Sequence, residues 1–326
     1  MKLYNLAAMA VVATMATAPL AAQELKFANF TPPFHTVNAS VIEKLDADLR
    51  AATGGELSVR GYHGGELGAG PVEQYVRAVQ GVADITWGLP GYTSSQFGKT
   101  MIVELPGTLS LEGSGYKALW ATYGDYLAGE FPGTVPLALW TSEPNVFIMN
   151  GHVIRTPADM AGLKVRVAGA TAAKVAEALG ATPVQMPINQ VYNALQTGLI
   201  DGVITGSSTL SDFKLDEVAD SITLGANLGR LAFYVVMGES RYNSLSDTSR
   251  AALDAAIGVP LSKSAEDAWA ATAATAVAAA KASGDNTIVE LSADEAAAFA
   301  AALTAVTDEY VASVGGEDVL AVMRGN

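Results

Sequence analysis

From Glu24 onward, short apolar runs alternate with stretches whose apolar positions fall three and four apart. "LKFANF" (residues 25–30) predicts a strand. In "VNASVIEKLDADLRAATGG", Val41, Ile42, Leu45 and Leu49 share one face of a helix that Gly54 closes. "ELSVRGY" and "ADITWG" predict two more strands with the helix "VEQYVRAVQGVA" between them, an order that implies parallel βαβ units. A helical segment around "YKALWATYGDYLAGEF" follows, and "VPLALW" and "NVFIMNG" return to strand character.

A second set of such units begins near Thr156. "TPADMAG" predicts a short helix, "LKVRVAG" a strand, and "TAAKVAEALG" a helix ending at Gly180. "ATPVQM" (strand), "INQVYNALQTGLIDG" (helix) and "GVITGS" (strand) complete the set, and "RLAFYVVMGE" is a strand long enough to run between lobes. The alanine-rich tail from Asp247 to about Ser283 is strongly helix-prone, with a break at "GVPLS"; its spaced Leu, Val, Ile and Trp269 suit packed helices. "TIVELS" adds a strand and residues 293–314 a helix.

No tract resembles a flexible linker. The expected fold is α/β with two lobes, each a mostly parallel sheet flanked by helices, joined by crossing strands and a long helix. The first lobe is expected over residues 23–141 with part of 229–260, and the second over 142–228 with part of 261–326. Such architectures place their ligand between the lobes, at the carboxyl ends of strands.

Composition narrows the function. The 326 residues carry 33 acids against 19 lysines and arginines, a formal charge of −14, which argues against nucleic-acid and anionic-lipid partners. Lys2, an apolar run from about Leu6 to Ala18, then Pro19 and small residues have the layout of a signal peptide over residues 1–22, cleaved near Ala21 or Ala22. An exported protein without direct membrane anchoring is expected. Cysteine is absent, which removes thiol nucleophiles, thiolate metal sites and a lipid-bearing N-terminal cysteine.

Candidate chemistry is sparse. His35, His63 and His152 are the three histidines, and none has metal-ligand spacing, so neither metal nor cofactor is expected. His63 and His152 adjoin glycines and read as turn residues. Ser211 and Lys214, in "SDFK", match a serine-hydrolase signature whose companion motifs are missing, and "GGELGAG" has no phosphate-loop spacing. Arg166 stands out at the carboxyl end of the strand "LKVRVAG", ahead of Gly169 and a helix start. Two readings are open for it: an ion pair on a solvated face, or a bidentate fork for a ligand carboxylate, with the helix start adding backbone donors.

The motif order decides between them. "GELGAG" with "EQYVRAVQGVADIT", then "ELPG", "TPADMAGLKVRVAG", "LGATPVQMPINQVYNALQTGLIDGV" and "RLAFYVVM" resemble the substrate-binding subunits of tripartite ATP-independent periplasmic (TRAP) transporters over nearly the whole mature chain. The resemblance implies a hinged protein that closes on an organic acid and delivers it to the small and large membrane subunits of an ion-gradient-driven permease. It also maps the family's carboxylate-binding arginine onto Arg166.

Departures from the family pattern point to the ligand. Thr205 replaces a usual carboxylate-orienting asparagine. Asn145 is nearest to where a second arginine often stands, Phe30 ends the first strand, Trp87 and Leu89 follow "ADIT", and Ile188 replaces an aromatic. Each swap removes a group that would read hydroxyls, so the resemblance implies a monocarboxylate with an apolar or aromatic body held by Arg166 and Thr205. A sugar acid or a small hydroxy or keto acid is the alternative ligand. Tyr92, Trp140, Phe147 and Tyr192 are further wall candidates, although strand aromatics are commonly core; Tyr192 lies off the stripe of Val191, Leu195 and Leu199. Rival functions are a binding protein that feeds a sensor, and an exported serine hydrolase using Ser211 and Lys214.

Overall fold

The computed structural model describes residues 22–325, so the signal peptide and its cleavage point lie almost wholly outside the described residues. β1 (Gln23–Ala28) pairs in parallel with β2 (Leu57–Tyr62) and β3 (Ile85–Gly88). The helices between them include α1 (Lys44–Thr53), extended at its start by wider turns from Asn38, and α2 (Gln74–Val79). After α3 (Gly115–Thr122) comes β4 (Thr134–Thr141). This first sheet has five strands because β10 (Ala232–Gly238) inserts antiparallel between β3 and β4.

The second sheet has six strands and contains β5 (Asn145–Met149), β6 (Lys164–Val167), β7 (Thr182–Gln185), β8 (Gly202–Gly206), β9 (Ser221–Leu224) and β11 (Thr287–Glu290). β6 lies between β7 and β8, parallel to both, while β5 runs antiparallel between β8 and β9. α4 (Ala170–Ala178), α5 (Val191–Gln196) and α6 (Thr209–Asp212) connect these strands.

The expected tail divides at Gly258, whose φ of +74° separates α8 (Asp247–Ala256) from the 25-residue α9 (Val259–Ser283); the short α7 (Glu239–Asn243) precedes them. α9 packs on β4 and α3 of the first sheet and also touches α6 and β11 of the second. α10 (Ala293–Val314) lies against α4, and α11 (Glu317–Met323) against α3. β9 and α11 have no counterpart in the sequence reading. Four residues of "SITL" and a seven-residue helix behind two glycines are too short to establish a period.

Where the chain crosses between sheets, the two crossings are bonded together. Ser142 N donates to Leu231 O at 2.8 Å and Asn145 N to Gly229 O at 2.9 Å. Leu231 N returns a bond to Ser142 Oγ at 3.0 Å. The Arg230 guanidinium donates to the carbonyls of Ser142, Ser110 and Leu111, at 3.2, 3.0 and 2.6 Å. Gly229 adopts φ +81°, and a Cβ there would overlap the Glu104 carbonyl oxygen. Glu143 sits in the first crossing, buried, with Oε1 accepting from Ser208 N at 2.6 Å. Burial pushes its carboxyl up to about 7.

Two stability measurements test this junction. Gly229→Ala should lose on the order of 3 kcal/mol or more in chemical unfolding. Gly284→Ala, at a helix end with open space around it, should lose only about 1 kcal/mol. The second concerns Glu143. Its folded pKa is raised, so between about 4.5 and 7 the unfolded chain releases a proton that the folded chain retains. Wild-type stability should therefore fall relative to Glu143→Gln as pH rises through that window, by up to about 3 kcal/mol. A pH-independent difference between the two proteins would contradict the buried-neutral assignment.

Candidate functional site

Strand alternation would send Arg166 and Lys164 to one solvated face. Lys164 is exposed, but Arg166 is 1% exposed, as buried as Val165 and Val167 beside it. In β6 it stands opposite Val184 of β7 and Val203 of β8. Its Nε donates to Met186 O at 2.9 Å and its Nη2 to Tyr92 Oη at 3.4 Å. Nη1 has no partner, and no acid lies within ion-pair distance of the guanidinium among the described residues. Desolvation pushes its pKa down from the usual arginine value, opposed in part by Tyr92. The surface ion pair, one of the two readings open from sequence, is absent here.

The second orphan is Thr205 Oγ1, fully buried on β8 and also without a partner. Buried polar atoms are nearly always bonded, and leaving one unpaired costs about 1–3 kcal/mol, more when it is charged. Arg166 and Thr205 line one cavity between the two sheets. Two unpaired donors on one such wall suit an anion with at least two acceptor oxygens.

The rest of that wall is mostly apolar. Phe30 stacks on Trp87 with ring centroids 4.5 Å apart, and Leu89, Ile188, Phe233 and Trp269 complete much of the enclosure. Trp87 Nε1 is satisfied by Asn29 Oδ1 at 2.9 Å, so its face is presented as hydrocarbon without an unpaired donor. Tyr92, from the turn after β3, reaches across to the second sheet. Its oxygen accepts from Arg166 and from Ile188 N at 3.1 Å. Both received bonds use lone pairs, leaving its own hydroxyl proton free for a further acceptor.

Of the residues expected at the site, Phe30, Trp87, Leu89, Tyr92, Arg166, Ile188 and Thr205 line the cavity. Trp140, Asn145, Phe147 and Tyr192 do not. Trp140 packs behind Phe233 and Trp269, at 5.2 and 5.4 Å, and Phe147 is core beside Phe299 at 5.4 Å. Asn145 is fully buried in β5, opposite Gly206. The Tyr192 hydroxyl turns outward to Glu217 Oε2 at 3.0 Å. Nor does the helix start after β6 line the cavity: Thr171 Oγ1 donates at 2.7 Å to Glu104, whose carboxyl burial raises to about 7. Ser211 and Lys214 form no catalytic pair, because Ser211 Oγ donates to Ser208 O and Lys214 lies 3.7 Å from Glu217.

Sequence reasoning missed His35, Ser208, Asp212, Phe213 and Phe233 as cavity residues. His35 is 3% exposed, its ring 5.2–5.5 Å from those of Trp87, Phe213 and Trp269. Burial drives its pKa down to about 3, so it is neutral. Asp212 is pushed up to about 6, by burial chiefly, while Thr36 N and Oγ1 donate to its Oδ1. The one signal available was position beyond a strand's carboxyl end, as for Ser208, Asp212 and Phe213 after β8; it is shared by residues outside the cavity, and Phe233, inside β10, lacks it.

Three comparisons place the chain among known proteins. Residues 27–313 match the family of bacterial extracellular solute-binding proteins, family 7, DctP. The C4-dicarboxylate-binding periplasmic protein DctP of Rhodobacter capsulatus is 31% identical over 203 residues, 59% of this chain and 57% of that protein, so the match spans little more than half of that relative's length. A TRAP solute-binding protein of Rhodoferax ferrireducens with copurified benzoate superposes with a TM-score of 0.87 at 28% identity, over 93% of this chain and 97% of that one. A TRAP periplasmic solute-binding protein of Bordetella bronchiseptica, with bound (R)- and (S)-mandelate, gives 0.84 at 26% identity, covering 93% and 98%. The resemblance in the motifs and the two-lobed α/β architecture thus meet in one conclusion: the chain belongs to the DctP family of TRAP solute-binding proteins.

Proposed function

We propose that this protein captures a monocarboxylate with an aromatic or apolar body in the cavity between its lobes and delivers it to the small and large membrane subunits of an ion-gradient-driven TRAP permease. The observation that carries the reading is the pair of orphaned donors, Arg166 Nη1 and Thr205 Oγ1, on the wall of a cavity lined largely by apolar side chains. The carboxylate bonds to both, and Tyr92 Oη supplies a third donor from the facing lobe. Burial of the ring against Phe30, Trp87 and Phe233 adds roughly 25 cal/mol for each Å² of apolar surface removed from water. The chain performs no bond-making; its work is selective capture in the periplasm.

In this reading one lobe is residues 23–141 with part of 229–260, and the other 142–228 with part of 261–326. Tyr92 makes closure sensitive to the ligand. It belongs to the first lobe, yet its oxygen accepts from Arg166 and Ile188 of the second. A carboxylate on Arg166 gives the Tyr92 proton an acceptor, so the closed form gains a bond when loaded. A ligand that binds the closed form better shifts the population toward it, and that form is the one presented to the permease.

A dicarboxylate fits this cavity poorly. A second carboxylate would need a second cation, and Arg230, the other buried arginine near the junction, is committed to three carbonyls. The cavity's remaining titratable groups are a neutral His35 and the acidic Asp212. A polyhydroxylated sugar acid would leave hydroxyls unpaired against Phe30, Trp87 and Leu89, at about 1–3 kcal/mol each.

Two measurements test the proposal. In titration calorimetry with benzoate, Arg166→Lys should weaken binding about 10- to 100-fold, because a single ammonium cannot reproduce the fork held by Met186 O and Tyr92; equal affinity would overturn the role of Arg166. In a thermal-shift screen of organic acids at saturating concentration, benzoate and mandelate should raise the melting temperature and uronates and succinate should not. The reverse ranking would overturn the ligand class.

A further inference from the structure

Besides Arg166 and Thr205, the cavity has a second polar corner. His35 and Asp212 both line it, and their facing atoms, Nε2 and Oδ2, are 3.6 Å apart, too far for a hydrogen bond. Asp212 is 5% exposed, and its Oδ2 has no partner, while its Oδ1 is occupied by Thr36. His35 Nδ1 accepts from Val37 N at 3.1 Å. A ring nitrogen that accepts carries no proton, so neutral His35 bears its proton on Nε2, the atom facing Asp212. The corner therefore presents one donor, His35 Nε2–H, beside one acceptor, Asp212 Oδ2. Aromatic rings of Trp87, Phe213 and Trp269 surround the histidine. Asp212 is carried by α6 and Arg166 by β6, and no ion pair joins them among the described residues.

We infer that the ligand is an aromatic acid whose ring carries a hydroxyl group, which donates to Asp212 Oδ2 and accepts from His35 Nε2–H. This rests on the carboxylate reading of Arg166 and specifies the other end of the molecule. A hydroxyl is the small group that does both jobs at once. An ammonium only donates and would leave His35 Nε2–H facing a donor. A methoxy group only accepts and would leave Asp212 Oδ2 as orphaned as it is now. An unsubstituted ring satisfies neither atom, and each unpaired polar group in so apolar a surround costs binding free energy. Asp212 remains below neutrality despite its burial, so it is an acceptor at neutral pH.

The test is a calorimetric series on the wild-type protein with benzoate and phenylacetate, their meta- and para-hydroxy derivatives, and the matching methoxy compounds. At least one hydroxylated acid should bind about ten-fold or more tighter than its unsubstituted parent and than its methoxy counterpart. In Asp212→Asn, whose amide presents a donor where Oδ2 stood, the hydroxy-to-methoxy affinity ratio should fall toward one. The wild-type ligand series stands on its own if that variant does not fold. If aromatic acids bind and respond to Arg166→Lys but hydroxylation brings no gain, this inference is overturned and the carboxylate reading survives. If no aromatic acid binds, both are overturned.

Discussion

One buried positive charge without a counterion organises this molecule. Arg166 is withdrawn from water between two strands, held in place by Met186 O and Tyr92, and left with a free Nη1. Removing a guanidinium from water is costly unless an anion compensates it, and the described residues supply none within ion-pair distance. In the proposed function, the missing anion is the ligand's carboxylate. In that reading Thr205 adds a donor, Tyr92 adds another from the opposite lobe, and aromatic rings of the lining exclude the water that would otherwise weaken the pair.

The same logic explains why the junction between the lobes is dense with backbone bonds. A cavity between two sheets holds its shape only if the crossings hold the sheets in register. Here the crossing strands are bonded to each other, and Arg230 ties Ser142 to the loop at Ser110 and Leu111. The two buried arginines thus differ in one respect. Arg230 spends its donors on carbonyls, whereas Arg166 keeps one in reserve.

Much of this was legible in the sequence because it is written in periods and in spacing. The alternation of Val165 and Val167, the helical stripe of Val41, Ile42, Leu45 and Leu49, and the glycine at Gly258 each have a local physical cause, and the corresponding elements form. Arg166, Phe30, Trp87, Leu89, Ile188 and Thr205 could be singled out because family motifs fix their places on strand ends, and they do meet in one cavity. His35, Asp212 and Phe233 could not, because what brings them together is the packing of α6, α9 and the crossing β10 around a shared space. Trp140 and Phe147 illustrate the converse: an aromatic on a strand beside the site is turned by the two-residue period into the core behind it, where Phe233 and Phe299 cover it. Asn145 stands on the strand facing β8, yet its buried side chain lies off the cavity wall.

The most direct test of the central claim is a crystal structure of the protein with benzoate bound. The account predicts one carboxylate oxygen within hydrogen-bond distance of Arg166 Nη1 and a carboxylate contact to Thr205 Oγ1, with the ring against Phe30 and Trp87. A carboxylate seated on Arg230, or anywhere else that leaves Arg166 Nη1 unpaired, would contradict it.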